Sequence, residues 1–287
     1  MRCTPLDAPF GARLHLETGD PLTDDEQIFL RRAFAEHGLL LVREGAITDA
    51  RQLELLAPLG RVEPDERGEP MRMEVTNQHD ASTAPEGELI FHYDYAYDPT
   101  PIPGISMYGA LVEGDVTPTC FANSALVLQR LPPALVERLR DLEAAHACFL
   151  QRLDAPDQRS KEPDPLIRRG EPGWGPEHYW THHPAIFANA FGIDTLFLCL
   201  QHTDQLIGLP RDESDALLEE VYAQLYAPDH VYAHLWRPDD LLIWDNLTVQ
   251  HARPEPVDAP RTLRRYHLSP TDLTADYLRV ARQQGIL

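Results

Sequence analysis

The chain has 287 residues, enough for one large β-rich domain or two small ones, and its 43% hydrophobic and 25% charged residues are the balance of a folded globular protein. A formal charge of −21, from 25 Lys and Arg against 46 Asp and Glu, repels phosphate backbones and anionic membranes, which argues against nucleic acid as a partner and makes any arginine cluster informative. No stretch approaches the roughly 18 consecutive apolar residues of a membrane span, and Met1–Asp7 lacks the apolar run of a signal peptide, so a cytoplasmic protein is expected.

Asp24–His37 is expected as the first helix, because Ile28, Phe29, Leu30, Ala33 and Phe34 recur at helical spacing. Thr23 followed by Glu26 is a capping-box signature, and Gly38 is the stop. A short buried strand, Leu39–Val42, and a second helix, Asp49–Leu56, follow. The pattern then turns to short strands at Met71–Val75, Leu89–Tyr93, Ile105–Leu111 and Thr119–Ala122, with a helix at Leu131–Asp141. Asp154–Gly175 is rich in Pro, Gly and charge and reads as a long loop or lid, part of an insertion at about 154–183. Strands resume at Ala185–Phe187 and Leu196–Cys199. Asp212–Tyr226 is a helix with Ala216, Leu217, Val221 and Leu225 as its apolar stripe. Val231–Leu235, Leu241–Trp244, Val249–His251 and Thr262–Leu268 are strand-like, and a helix over Thr271–Gln283 closes the chain. The whole reads as mainly β with helical decoration, a sandwich or jelly roll whose mouth can hold a site. Cys3, Cys120, Cys148 and Cys199 are widely separated and form no CxxC pair, so they read as reduced thiols rather than a zinc site.

Three features carry chemistry. In Phe91-His92-Tyr93-Asp94, a strand places His92 and Asp94 on one face, which supplies two of the three ligands of a 2-His-1-carboxylate metal site. Alone, such an HxD is weak, since it also occurs as a surface pair on a strand end. The second feature is the apolar strand ending in Trp244-Asp245-Asn246, with a following strand that delivers His251; only the fold can bring His251 to Asp94, 157 residues earlier. The third is Arg261-Thr262-Leu263-Arg264-Arg265. Period 2 sets Arg261 and Arg265 on one face and Arg264 on the other, where an exposed basic position is the plain reading. A planar guanidinium facing the same mouth would bind a carboxylate with two parallel bonds.

Together these blocks resemble the TauD/TfdA (taurine/2-oxoglutarate dioxygenase-like) family. The resemblance starts at Pro9-Phe10-Gly11-Ala12 and Pro21-Leu22-Thr23-Asp24. It continues through His37 to Arg43 and Leu59-Gly60, then His92/Asp94, His183-Pro184 with Gly192 and Leu196-Phe197, and Trp244-Asp245-Asn246 to His251. It implies a double-stranded β-helix (jelly roll) of the clavaminate synthase-like type as one domain over 1–287, with iron(II) as cofactor and 2-oxoglutarate and O2 as cosubstrates. By the same resemblance His92, Asp94 and His251 are the metal ligands, Arg261 and Thr119 hold the distal carboxylate of 2-oxoglutarate, and Arg265 binds an anionic group of the substrate. Decarboxylation to succinate and CO2 would then be coupled to oxidation of a substrate C–H bond. The carboxylate of Asp94 favours hydroxylation over halogenation, which would need a small residue there. Family members often form dimers or tetramers, so a homo-oligomer is open.

His202-Thr203-Asp204 is a second HxD. Family order assigns it to the loop after the Leu-Phe strand, so His92/Asp94 is preferred. His178, His182 and His183 sit beside the expected lid, with loop polarity as the plain reading. The stretch Glu63–Glu86, where taurine enzymes carry substrate contacts, contains no counterpart of them, which makes taurine itself doubtful. Two rivals remain: a non-catalytic metal-binding jelly roll that binds a ligand, and a zinc hydrolase on the same three residues. The first has no use for Arg261 and Thr119, and the second predicts activity without O2 or 2-oxoglutarate.

Overall fold

A computed structural model describes residues 1–16, 21–80, 82–84, 87–147, 180–189 and 191–269. The expected lid up to residue 179, the helix over 271–283, Cys148 and His178 lie outside the described residues. In chain order the elements are β1 (Arg2–Pro5), β2 (Ala12–His15), α1 (Asp24–His37), β3 (Leu39–Val42), α2 (Asp49–Leu56), β4 (Met73–Thr76), β5 (Leu89–His92) and β6 (Gly104–Val112). There follow β7 (Thr119–Asn123), α3 (Ser124–Arg130), α4 (Pro133–Leu139), β8 (Glu143–Ala147), β9 (Trp180–Pro184), β10 (Ile186–Ala188), β11 (Asp194–Leu196) and β12 (Thr203–Leu206). The last are α5 (Arg211–Leu225), β13 (Val231–His234), β14 (Leu241–Asp245), β15 (Val249–Arg253) and β16 (Arg261–His267).

Two sheets position the site. The larger has seven strands in the order β1-β2-β3-β14-β6-β16-β4, and the smaller has four in the order β13-β7-β15-β5. The centre of the larger sheet is buried on both faces, which explains the unbroken apolar runs Leu39–Val42 and Leu241–Trp244. Period 2 divides those runs. Leu40, Val42, Leu241 and Ile243 pack with Leu30, Phe34 and Leu55 of the two N-terminal helices. Leu39, Leu41, Leu242 and Trp244 pack the other way, against Phe121 of β7 and Val249 of β15. The second cluster is therefore the layer between the two sheets.

The helices follow their sequence signals with one exception. Glu26 N donates to Thr23 Oγ1 at 3.3 Å and Thr23 N donates to Glu26 Oε2 at 3.0 Å, closing the capping box, and Gly38 ends α1 with φ 67°. The helix expected at Leu131–Asp141 is present as α4, Pro133–Leu139, and an unexpected helix, α3, precedes it, the Pro132-Pro133 pair separating the two. The earlier one was hidden because β7 runs into it without a loop: Asn123 is both the last strand residue and the N-cap, accepting from Leu126 N at 2.9 Å. A three-stranded sheet, β12-β8-β9, was not expected either. Its strand Glu143-Ala-Ala-His-Ala147 has the composition of a helix, and pairing on both sides overrides that propensity.

The turn before β14 rests on one buried carboxylate. Asp240 is fully buried and accepts from Arg43 Nε at 2.6 Å and Nη2 at 2.7 Å, while His234 Nε2 lies 3.2 Å away. Burial alone would raise its pKa; the bonds from Arg43 and His234 overcome that and bring it down to about 2. The depressed pKa gives the folded state a stabilisation that is full above the ordinary carboxylate range and lost as pH falls from about 4 towards 2. Asp240→Ala, which strands Arg43 and His234, is expected to lower stability by about 3–5 kcal/mol in denaturant titrations at pH 7. The loss relative to wild type should shrink below pH 4, and a pH-independent difference would rule out this account.

Candidate active site

The site begins with strand register. β15 pairs antiparallel with β5 so that His251 stands directly opposite His92, and directly opposed residues share one face of a sheet. The two imidazole centroids are 4.2 Å apart. β5 ends at His92, so Asp94 is not held by the ladder. Its backbone is held by the Asn246 side chain, which accepts from Asp94 N at 3.1 Å and donates to Asp94 O at 3.0 Å and to Ile102 O at 2.9 Å. Asp94 Oδ1 is thereby placed 3.4 Å from His92 Nε2 and 3.7 Å from His251 Nε2. Ligand atoms of all three residues lie within 4.8 Å of one another, and no other trio of His, Cys, Asp or Glu among the described residues does so.

The protonation states suit a cation. His92 Nδ1 lies 2.7 Å from the carbonyl oxygen of Ile90, which can only accept, so in the neutral ring this nitrogen carries the proton and Nε2 keeps its lone pair. Burial, with His92, His267 and His202 nearby, holds the pKa of His251 well below the usual range, so that ring is neutral at neutral pH. Two neutral imidazoles and one carboxylate are the donor set of a facial 2-His-1-carboxylate centre.

Residues adjacent to the three lock the strands together from behind. Tyr93 is fully buried, stacks on Phe197 at 4.7 Å and donates to Leu196 O at 2.6 Å. Gln250 Nε2 donates to Leu198 O at 2.9 Å and Ser124 Oγ at 3.0 Å, and its Oε1 accepts from Tyr226 at 2.7 Å. In the turn between β14 and β15, Asp245 accepts from Leu247 N at 2.8 Å and Asn189 Nδ2 at 3.0 Å.

The three residues open into a cavity of about 500 Å³ whose lining includes Thr119, Arg261 and Arg265. On β16 the odd residues Arg261, Leu263, Arg265 and His267 face this cavity. Thr119 Oγ1 accepts from Trp236 Nε1 at 3.0 Å, which leaves its own proton to donate. Arg261 donates to the Thr117 carbonyl, and Arg265 is paired with Asp94. Burial lowers Arg261 to about 10 and Arg265 to about 9, so both stay charged at neutral pH. The Nε of Arg265 is buried and has no hydrogen-bond partner.

The family model of the taurine catabolism dioxygenase TauD, TfdA family matches residues 2–267. The chain belongs to this family. The TauD, TfdA relatives include an (S)-phenoxypropionate/alpha-ketoglutarate-dioxygenase from Sphingobium herbicidovorans, 28% identical over 265 residues that span 86% of this chain and 87% of that one. A pentalenolactone F synthase from Streptomyces arenae is 27% identical over 172 residues, covering 57% of this chain and 55% of the synthase. The fold matches that of a taurine dioxygenase from Burkholderia xenovorans with TM-score 0.73 at 21% identity, over 94% of this chain and 91% of that one. It also matches AAD-2, solved with Mn(II) and N-oxalylglycine, with TM-score 0.74 at 19% identity, over 96% and 100% of the two chains. Membership of the TauD, TfdA family makes the chain a 2-oxoglutarate-dependent dioxygenase. No helix among the described residues is long and apolar enough to cross a membrane.

The structure separates what the sequence left adjacent. Arg264 is not an exposed basic residue: it is buried on the outer face, donating to Gln52 Oε1 and Ile47 O at 2.7 Å each and lying 4.3 Å from the Tyr108 ring. The second HxD is split. Asp204 is ion-paired with Arg211 at 2.9 Å, whereas His202 lines the cavity edge-on to His92 at 6.1 Å. His182 is bound to Glu143 at 3.1 Å and His183 to Asp98 O at 2.9 Å, and neither lines the cavity. Sequence reasoning missed His267, although the period that selected Arg261 and Arg265 points to it. Burial, outweighing Glu63, lowers its pKa to about 3, so it faces Asp94 as a neutral ring. It also missed Gln201, whose buried Oε1 has no partner at the cavity wall and which no periodicity marks. Asn246→Ala is expected to weaken iron(II) affinity by about 10–100-fold in a folded protein, measured by titration against a competing chelator. Unchanged affinity would show that Asp94 needs no such clamp.

Proposed function

We propose that the protein is an iron(II)- and 2-oxoglutarate-dependent dioxygenase that oxidises a C–H bond of a small anionic organic substrate, releasing succinate and CO2. One observation carries this reading: His92, Asp94 and His251 converge in a cavity that also presents two charged, buried arginines. Such a cavity at the edge of two facing sheets supports the double-stranded β-helix of the clavaminate synthase-like type as the fold, within a single domain over 1–287.

His92 Nε2, His251 Nε2 and Asp94 would hold the iron, which supplies O2 activation coupled to decarboxylation of 2-oxoglutarate. Asn246 keeps Asp94 in place, and the Gln250–Ser124–Tyr93 network keeps the imidazoles opposed. Arg261, with Thr119 donating beside it, would bind the distal carboxylate of 2-oxoglutarate. The fork of Arg261 is already oriented by the Thr117 carbonyl, which lowers the entropy cost of capture. Arg265, with its unpartnered Nε, would bind the anionic group of the substrate. The carboxylic acid named for the phenoxypropionate relative is of this kind. Leu89, Leu263 and Val75 line the same cavity, and their apolar side chains would exclude water from the target carbon.

Under anaerobic conditions, iron(II) and 2-oxoglutarate added to the protein should give a weak visible charge-transfer band. Asp94→Ala should abolish or shift it and Asp204→Ala should leave it; no band from iron-loaded wild type would end the oxygenase reading. Arg261→Ala should raise the 2-oxoglutarate concentration that half-saturates the band by roughly 30–1,000-fold, the loss expected for one partner of a buried charge pair. A change below threefold would remove Arg261 from that role.

A further inference from the structure

The two oxygens of Asp94 face different neighbours. Oδ1 is turned to His92 Nε2 and His251 Nε2, at 3.4 and 3.7 Å. Oδ2 is buried and turned the other way, to Arg265 and to His267 Nε2 at 3.5 Å. On the far side of the His267 ring, Glu63 Oε2 lies 3.5 Å from Nδ1. Both ring nitrogens of His267 and Glu63 Oε2 are buried, and none of them makes a hydrogen bond of ordinary length. A row of carboxylate, imidazole and carboxylate therefore leads away from the three converging residues, at a place where an apolar side chain would carry no polar cost.

Backbone pairing fixes this row. His267 is the last residue of β16 and stands opposite Ile105 of β6. Glu63 N donates to His267 O at 2.9 Å, and Val62 bridges to Leu268, so the Glu63 side chain is anchored beside the ring. A neutral ring has a single proton for two flanking carboxylates. The Glu63 side chain is 26% exposed and can be hydrated, whereas Asp94 Oδ2 is out of reach of water. The desolvated acceptor gains more from a donor, which favours the proton on Nε2. Closing that contact to the length of an ordinary hydrogen bond takes a movement of only about half an ångström. Arg265 does not make His267 redundant, because its guanidinium also lines the cavity and an anion there would compete for it.

We propose that His267 is a positioning residue whose Nε2–H holds Oδ2 of Asp94, so that Oδ1 alone is presented to the metal. Asn246 and His267 then divide one task, the first fixing the backbone of Asp94 and the second the plane of its carboxylate. This rests on the reading of His92, Asp94 and His251 as the iron site. Hydrogen-bond partners of a ligating carboxylate are worth about 10–100-fold in metal affinity.

The test compares wild type with His267→Leu, which fills the space without a donor, and His267→Gln, whose amide nitrogen can take the place of Nε2. Iron(II) affinity is titrated anaerobically against a competing chelator, the charge-transfer band is recorded with 2-oxoglutarate, and the apoproteins are unfolded in denaturant. His267→Leu should bind iron(II) at least about 10-fold more weakly and displace the band. Its apoprotein should be no less stable than wild type, because two buried nitrogens without hydrogen bonds are replaced by hydrocarbon. His267→Gln should restore the band position and bring the affinity to within about threefold of wild type. The proposal would be overturned by wild-type affinity in His267→Leu, by a His267→Gln as weak as His267→Leu, or by a destabilised His267→Leu apoprotein, which would make the ring structural. Each of these results leaves the oxygenase reading standing as long as wild type binds iron(II) and gives the band. A wild type that binds no iron(II) would overturn both.

Discussion

The pairing of His251 with His92 is the constraint on which the site depends. Two imidazoles held 4.2 Å apart in a buried position cannot both be protonated, and burial keeps His251 neutral. A one-residue slip of β15 would bring Gln250 or Ala252 to that place and turn His251 to the other side. Gln250 prevents it. On the opposite face of the strand from His251, it is satisfied by Leu198, Ser124 and Tyr226 together, and any other register would bury its amide unpaired. The polar residue next to each histidine thus fixes the register that gives the histidines their function.

Asp94 is held by a different device. Its strand has ended, so its backbone borrows hydrogen bonds from Asn246, which belongs to the turn between β14 and β15. That same turn delivers His251 five residues later. The small sheet therefore supplies both imidazoles, on β5 and β15, while the turn that leaves β14 of the large sheet holds the carboxylate. A site divided in this way forms only when both sheets and the core between them are in place.

Much of this was legible in the sequence, for reasons tied to particular residues. The apolar runs at Leu39–Val42 and Leu241–Trp244 named the two strands buried on both faces, and period 2 on β16 assigned Arg261 and Arg265 to the cavity. Period 2 turns Tyr93, between the two ligands, away from them, and it is fully buried against Phe197. What stayed hidden depended on partners distant in sequence. The alanine-rich β8 is a strand only because β9 and β12 flank it. Arg264 looked like a solvated charge, since Gln52, Ile47 and Tyr108, which enclose it, lie far from it in the chain. The second HxD could not be divided by pattern alone: Asp204 turns towards Arg211 at the start of α5, while His202 stays in the cavity wall.

The arginines of β16 also show how a chain of net charge −21 can hold anionic ligands. The long-range field of such a protein repels a dicarboxylate, but that field is screened beyond about 8 Å at physiological ionic strength. Capture then depends on cations within a few ångströms. Arg261, Arg264 and Arg265 are all buried, yet only the two on the inner face meet the cavity; the third is neutralised by Asp49 at 3.1 Å on the outer face. Alternation along a single strand thus gives one guanidinium to stability and two to recognition. Burial lowers the pKa of both inner arginines, but to values still above neutrality, so desolvation strengthens their attraction without discharging them. An exposed lysine in either place would be a weaker and less directional donor, and its attraction would fade with salt as that of a surface charge does.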